Sequence, residues 1–308
     1  MRRVDRKTSV VARCALTGLA LASLVLAASA SSSCSGRVGG HAGGVGAIVV
    51  IRGSDTMLDL VHRWAEHFMD ESPGVAVEVS GGGTGTGIAA LVNGTVDIAC
   101  ASRPLTSSER AAIRAHRGAE VRETHVALDA VALYVHATNP VRSLTVEQLS
   151  GVYRGQLTNW AEIGGVDLPI VLYGRENSSG TYAFFKEVVL GQLDFAAETQ
   201  SLSGTAAVIQ AVSYDPKGIG YGGIGNAHGV ARVSLARHAG DAPVAPGLGE
   251  ARSGRYPLTR HLSLITTTSA APSARRFVDW ARSLDGQRIV ESAGFYPLEP
   301  SLAEARIR

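Results

Sequence analysis

Four short segments combine small, hydroxyl-bearing and charged residues where a predicted strand ends and a predicted helix begins. They are Gly53-Ser54-Asp55-Thr56, residues 80–87 (SGGGTGTG), Ala101-Ser102-Arg103-Pro104 and residues 175–181 (RENSSGT). A helix N-terminus presents free N–H groups and about half a positive charge. Ser and Thr add hydroxyl donors, and Gly lets an anion approach the backbone closely. Since ligands of open α/β sheets lie at the carboxyl ends of the strands, the four segments together predict a site for a small anion.

Each segment also has a purely structural interpretation. A GSDT turn before a helix is commonly an N-cap, and Arg175 alone would more often form a surface ion pair. The glycine-rich run lacks the G-K-[ST] ending of a nucleotide P-loop and contains no lysine. The occurrence of all four segments at strand-to-helix junctions favours the anion site.

Signatures of catalysis and of metal binding are absent from the sequence. It has no G-x-S-x-G with a partnered base, its nine histidines show no zinc-protease spacing, and no Cys/His cluster indicates zinc. The serines of ENSSG have no neighbouring His or Lys that would make one a nucleophile. We therefore predict a binding protein, not an enzyme, with no cofactor and no metal.

The elements that must position these segments alternate between strand and helix. The stretch after GSDT places Leu58, Val61, Trp64, Ala65 and Phe68 on one helical face before a Pro-Gly stop. The strand VAVEVS, the short helix GTGIAALVNGT and the strand VDIACAS come next, and then a polar helix with Thr106 as its predicted N-cap. This βαβα order predicts parallel sheets covered by helices.

The pattern restarts near Pro140, after a long apolar strand at residues 125–136, and a second long strand covers residues 256–268. The simplest fold is α/β with two lobes joined by two hinge strands, where closure around a ligand would occur. We expect lobe 1 at residues 47–130 and 257–308 and lobe 2 at residues 131–256.

The N-terminal region predicts export. Residues 1–30 read as a signal peptide, with a basic start and an apolar run from Cys14 to Ala30, although an N-terminal anchor helix is the alternative. Residues 31–46 form a predicted Gly/Ser-rich tether. Cys34 is a candidate lipidation site, but Ser31 stands where Leu is usual, and residues 28–30 offer an ordinary A-x-A cleavage site. Cys100 is predicted to be a buried free thiol, and no structural disulfide is expected.

The bulk composition is that of a compact α/β chain. Of the 308 residues, 45% are hydrophobic, 18% are charged and 36 are glycine. The 29 basic and 27 acidic residues give a net charge of +2. The first 13 residues hold five basic residues and one acidic residue. The remainder therefore has 24 basic and 26 acidic residues, a net charge of −2. No cationic stripe for nucleic acid is left.

Several longer motifs stand out along the chain: GSDTM, SGGGTGTGI, DIACASRPL, the run LTVEQLSGVYRGQLTNWAEIGG, GRENSSGTYAFF, GIGY and YPLTRHLSLIT. Together they resemble the phosphate-binding proteins of bacterial phosphate ABC transporters, and the similarity runs from about Val49 to Leu298. The resemblance implies a periplasmic-binding-protein type II fold with phosphate in the cleft between the lobes. It implies these phosphate contacts: Ser54, Asp55, Thr56, Thr84 (with Thr86 behind it), Ser102, Arg103, Arg175, Ser179, Gly180 and Thr181.

One departure from the family concerns the acid that tells phosphate from sulfate. Some members place a carboxylate just before the PL of the ASRPL motif, where this sequence has Ser102-Arg103. A carboxylate accepts a hydrogen bond from protonated phosphate and repels fully ionised sulfate. We hypothesise that Asp55 has this role. Arg103 could contact the anion or pair with Asp55, and the sequence leaves both open.

The resemblance implies a capture component that delivers phosphate to the permease of an ABC importer. We expect a monomer, exported to the periplasm or tethered there as a lipoprotein. A binding protein for sulfate, molybdate or tungstate, a secreted phosphatase on the same scaffold, and a sensor or adhesion protein are the alternatives.

Overall fold

The computed structural model describes residues 46–225 and 227–298. The predicted signal peptide, residues 31–45 of the tether and Cys34 lie outside the described residues. The strands are β1 Ala47–Gly53, β2 Val75–Ser80, β3 Ile98–Ala101, β4 Val121–His136, β5 Ser143–Thr145, β6 Val171–Arg175, β7 Gln200–Leu202, β8 Gly218–Gly223, β9 Val230–Ala236 and β10 Thr259–Thr267. The α-helices are α1 Leu58–Glu71, α2 Thr84–Val92, α3 Ser107–Arg117, α4 Val146–Tyr153, α5 Gly180–Val188, α6 Gly204–Tyr214, α7 Leu248–Arg252, α8 Pro272–Ala281 and α9 Leu284–Ser292.

One long strand joins the two halves of the sheet. The strand order is β2-β1-β3-β10-β4-β8-β6-β7, with β9 on β4 and β5 on β9. Residues 121–130 of β4 pair with β10, and residues 131–136 pair with β8 and β9. Thus β1, β2, β3 and β10 belong to one α/β lobe and β5 to β9 to the other, which agrees with the predicted two-lobed α/β fold class.

The chain returns from the second lobe beside the middle of β4. The N–H of Val131 donates to the carbonyl of Leu258 at 2.8 Å, and the Tyr256 hydroxyl donates to the carbonyl of Val131 at 2.9 Å. The regular second strand begins only at Thr259. The chain therefore crosses between the lobes twice, once in β4 near Val131 and once near Leu258. These two crossings lie side by side, so a hinge here bends two hydrogen-bonded segments together.

Local sequence signals explain where the helices begin and end. Helix α1 buries Leu60, Val61, Trp64, Ala65 and Phe68 and ends before Pro73, while Leu58 is only half-buried. Thr106 caps α3 in a capping box with Glu109, which confirms the predicted N-cap. Burial of the Cys100 thiol is also confirmed, and it raises the pKa of that thiol to about 12.

Some elements were not predicted from the sequence. Strand β9 and helix α7 lie in the stretch 230–255, for which no element was predicted. Strand β9 has mixed polar and apolar residues, and it exists because it pairs with β4 and β5. Helix α7 is only five residues long, too short for a periodic pattern.

Most buried apolar residues form one cluster that continues from the first lobe through β4 into the second. Within residues 46–225 and 227–298, no helix has the length and hydrophobicity needed to cross a bilayer.

Candidate functional site

The first turn of α5 supplies one wall of the site. Ser179 is the N-cap of this helix, and its hydroxyl accepts hydrogen bonds from the N–H groups of Thr181 (3.1 Å) and Tyr182 (3.3 Å). Ser179, Gly180 and Thr181 are all buried. The positive end of α5 is therefore fixed in the interior of the protein, facing loops of the first lobe.

Arg175, the last residue of β6, places a fully buried guanidinium in the site. Its Nη1 donates to the Thr205 hydroxyl at 3.2 Å, and its Nη2 lies 3.5 Å from Oδ2 of Asp55. Within the described part of the chain, neither Nε nor Nη2 has a hydrogen-bond partner. Burial lowers the pKa of the Arg175 guanidinium, and the Asp55 carboxylate opposes that shift.

Asp55 belongs to the turn after β1 and does not cap α1. The N-cap of α1 is Met57, which makes no side-chain cap bond. Instead, Oδ1 of Asp55 accepts a hydrogen bond from the N–H of Gly82 at 2.8 Å. Its Oδ2 is buried and, among the described residues, without a hydrogen-bond partner. The glycine-rich loop thus holds the carboxylate so that one oxygen is directed toward Arg175.

Thr84 and Ser102 form the opposite wall. Thr84 is the first residue of α2, and Ser102 directly follows β3. The Ser102 N–H donates to Thr84 Oγ1 at 3.1 Å, and the two side-chain oxygens are 3.3 Å apart. Both residues are buried and lie against Gly180 of the second lobe. A Cβ added to Gly180 would lie 2.4 Å from Thr84 Oγ1 and 2.6 Å from Ser102 Oγ. Only glycine allows this approach of the two lobes.

Two further contacts join the lobes directly. The hydroxyls of Thr56 and Thr181 are 2.9 Å apart, and the N–H of Gly85 donates to the carbonyl of Ser178 at 2.9 Å. Ser54 is buried beside Thr56, with its N–H donating to the carbonyl of Cys100 at 3.0 Å. The site is therefore assembled from strand-end segments of both lobes.

Arg103 is placed elsewhere. Its guanidinium makes a bidentate ion pair with Glu109 at the start of α3, with distances of 2.8 and 2.6 Å. The hydrogen bond with Glu109 raises the pKa of Arg103. The alternative in which Arg103 pairs with Asp55 was wrong, because Asp55 faces Arg175 and the capping-box acid Glu109 is the near partner of Arg103.

Four residues near the site were not predicted. Thr205 and Tyr221 contact Arg175, since the Tyr221 hydroxyl accepts from the Arg175 N–H at 3.4 Å. Asp129 and Arg260 form a buried ion pair at 2.8 Å, and Arg260 donates to Thr181 Oγ1 at 3.0 Å. The sequence carried a signal only for Asp129 and Arg260, each a charged residue within a long, mostly apolar strand.

The arrangement suits binding of an anion. The Arg175 guanidinium, several hydroxyls and the N-terminus of α5 surround the Asp55 carboxylate, and the side chains named above as walls of the site include no His, Cys or Lys. In the described ranges, no group of His, Cys, Asp and Glu could hold a metal ion.

Comparison with known proteins agrees with this geometry. Residues 31–283 match the PBP superfamily domain. The phosphate-binding protein PstS of Pseudomonas aeruginosa is 32% identical over 273 residues, which cover 83% of this chain and 84% of that protein. PstS of Bacillus subtilis is 29% identical, with 81% and 80% covered.

Solved structures show the same relation. A Clostridium perfringens protein assigned as a phosphate ABC transporter substrate-binding protein, solved with bound phosphate, superposes with a TM-score of 0.74. It is 28% identical, and the match covers 82% of this chain and all of that chain (100%). An ABC-type phosphate transport receptor from Vibrio cholerae gives a TM-score of 0.67 at 27% identity, covering 81% of this chain and 100% of that chain. This chain therefore belongs to the PBP superfamily and, within it, to the family of the phosphate-binding protein PstS.

Proposed function

We propose that this protein captures inorganic phosphate between its two lobes and delivers it to an ABC importer. One observation carries the proposal. Arg175 Nη2 and Asp55 Oδ2 come from opposite lobes, lie 3.5 Å apart, and lack hydrogen-bond partners among the described residues although both atoms are buried.

A ligand that satisfies both atoms must accept from a guanidinium and donate to a carboxylate. Protonated phosphate does both, whereas sulfate at neutral pH can only accept. Leaving a buried donor or acceptor unpaired is costly, so this pair of atoms favours phosphate over sulfate. The relatives named above, which include a phosphate-bound structure, support the same ligand.

The proposed contacts are those that surround these two atoms. Arg175 would bind the anion with its free N–H groups, and the hydroxyls and the α5 N-terminus would complete the shell. The set is Ser54, Asp55, Thr56, Thr84, Ser102, Arg175, Ser179, Gly180 and Thr181. Arg103 is not in this set, since Glu109 occupies its guanidinium.

The remaining parts of the proposal follow from the same assignment. The lobes divide near residues 130 and 257 and close on the ligand about the two crossings. The protein acts as a monomer without catalysis, on the outer side of the membrane, with Cys34 as a lipidation site. A permease of the importer receives the closed form.

Titration calorimetry of the purified protein with phosphate, arsenate, sulfate and molybdate tests the ligand. We expect phosphate and arsenate to bind and sulfate to be rejected. Binding of sulfate or molybdate in preference to phosphate would support a carrier of another oxyanion. Turnover of a chromogenic phosphate ester would support the phosphatase instead.

The Asp55→Asn variant tests the discrimination. An amide can donate to sulfate, so we expect sulfate to bind while phosphate binding weakens by about tenfold, the value of one charge-assisted hydrogen bond. The matched control is Asp59→Asn, because Asp59 lies four residues further on and is exposed, paired with Arg63. Unchanged rejection of sulfate in Asp55→Asn would refute the role of Asp55.

A further inference from the structure

A buried ion pair lies behind Thr181 on the two crossing segments. Asp129 of β4 and Arg260 of β10 are direct cross-strand neighbours. Arg260 Nε donates to Asp129 Oδ2 at 2.9 Å and its Nη2 lies 2.8 Å from the same oxygen. Their side chains are 0% and 2% exposed. The contacts proposed above for phosphate do not include this pair.

Two contacts from the second lobe hold the pair. The N–H of Ile224, just after β8, donates to Asp129 Oδ1 at 3.0 Å. The guanidinium carbon of Arg260 lies 5.5 Å from the centre of the Phe184 ring on α5. A buried ion pair is a weak source of stability, since apolar residues of similar volume often replace one without loss. The position of this pair, against the first turn of α5, therefore suggests a role in the site.

The hydrogen-bonding capacity of Thr181 defines that role. Arg260 Nη2 lies 3.0 Å from Thr181 Oγ1, and a guanidinium can only donate, so Thr181 must accept this bond. Thr181 Oγ1 is also 2.9 Å from Thr56 Oγ1, and either hydroxyl can be the donor. Thr56 and Thr181 together have two hydroxyl protons, and the hydrogen bond between them uses one. One O–H, that of Thr181 or of Thr56, is thus free to donate into the cleft.

We propose that Arg260 is a positioning residue of the anion site, which orients Thr181 so that the Thr56–Thr181 pair donates one hydroxyl proton to the ligand. The chain of bonds from guanidinium to hydroxyl to anion is charge-assisted, and each donor polarises the next. Asp129 fixes the guanidinium and balances its charge. This role rests on the proposed phosphate function.

A double-mutant cycle measured by calorimetry with inorganic phosphate tests the role. The first arm is Thr181→Val, and the second is Asp129→Asn combined with Arg260→Met. The second arm leaves no buried charge unpaired, and the amide oxygen introduced at position 129 can still accept from Ile224. We expect Thr181→Val to weaken phosphate binding by about 10- to 100-fold. We expect the second arm to weaken it by about 3- to 30-fold in the otherwise native protein.

The decisive measurement is the second arm in the Thr181→Val background. If Arg260 acts through the hydroxyl, its replacement there changes phosphate affinity by less than about threefold. If the pair is merely structural, the two losses multiply, and that result overturns the proposal. Native affinity in the second arm alone overturns it as well.

Two further variants keep the test interpretable. Arg260→Lys retains the charge but not the planar fork, and it replaces the second arm in the same cycle if urea unfolding shows that the double substitution is unfolded. Arg276→Met, on the exposed face of α8, is the matched control and is expected to bind as the native protein does. Failure of the native protein to bind phosphate refutes the proposed function itself. If the native protein binds phosphate but the losses of phosphate affinity in the two arms are independent, only the role of Arg260 is refuted.

Discussion

Substitution of Gly180 by alanine tests closure of the two lobes on the ligand independently of the stability of each lobe. Gly180 is the first residue of α5, and its φ is not in the left-handed region, so its backbone conformation suits alanine. Within its own lobe the change should be neutral or stabilising by about 0.5–1 kcal/mol, because alanine loses less conformational freedom on folding.

Across the cleft the same methyl group has no room. It would lie 2.4 Å from Thr84 Oγ1, 2.6 Å from Ser102 Oγ and 3.0 Å from Thr84 Cβ. Thr84 and Ser102 are buried and hydrogen-bonded to each other, so neither can rotate away without losing a bond. Overpacking of this kind costs about 1–3 kcal/mol, which corresponds to a loss of phosphate affinity of about 5- to 150-fold.

Calorimetry with phosphate measures that loss, and urea unfolding without ligand measures stability. Small-angle scattering with and without phosphate reports whether the lobes still close. The matched control is Gly249→Ala, because Gly249 lies in the short helix α7 and an added Cβ there meets nothing within 4 Å. We expect the control to bind and close as the native protein does.

The reasoning would be refuted if Gly180→Ala bound phosphate with native affinity. A large fall in the urea midpoint without ligand would also contradict it, because the clash would then lie within one lobe and not between the two.

Three other substitutions have distinct expected outcomes. Arg175→Lys should weaken phosphate binding by about 10- to 100-fold in calorimetry, since an ammonium cannot hold Thr205 and the anion as a planar fork does. Arg103→Gln should change phosphate affinity by less than about threefold while lowering the free energy of unfolding by about 1 kcal/mol, because its partner is Glu109; a loss as large as that of Arg175→Lys would put Arg103 back in the site. In a chain from residue 31 carrying Cys34→Ser, Cys100 should react with a thiol reagent at pH 8 only after urea is added, since burial raises its pKa to about 12; rapid reaction of the folded protein would contradict this.

Local signals in the sequence predicted the elements that hold the site. The Ser179 cap depends on residues within the same turn, and so does the Thr106 capping box. Gly81, Gly83 and Gly180 are also visible in the sequence, and each lies where an added Cβ would come within 2.5 Å of another atom. The two-lobed fold followed from the strand–helix order and from β4, whose length stands out.

Pairings between distant residues could not be predicted in the same way. Asp129 and Arg260 are 131 positions apart, and only the register of β4 with β10 makes them neighbours. The sequence predicted that Arg103 contacts the anion or Asp55, yet its guanidinium pairs with Glu109, six residues further on at the start of α3. Strand β9 exists through its partners β4 and β5.

The sequence by itself therefore determined which residue types would meet an anion and at which strand ends, because those choices depend on backbone conformation and helix capping within a few residues. Only the tertiary structure decided which charges face each other. Asp55 meets Arg175 from the opposite lobe at 3.5 Å, and Arg260 stands behind Thr181, because charge pairing depends on distances through space that chain order does not fix.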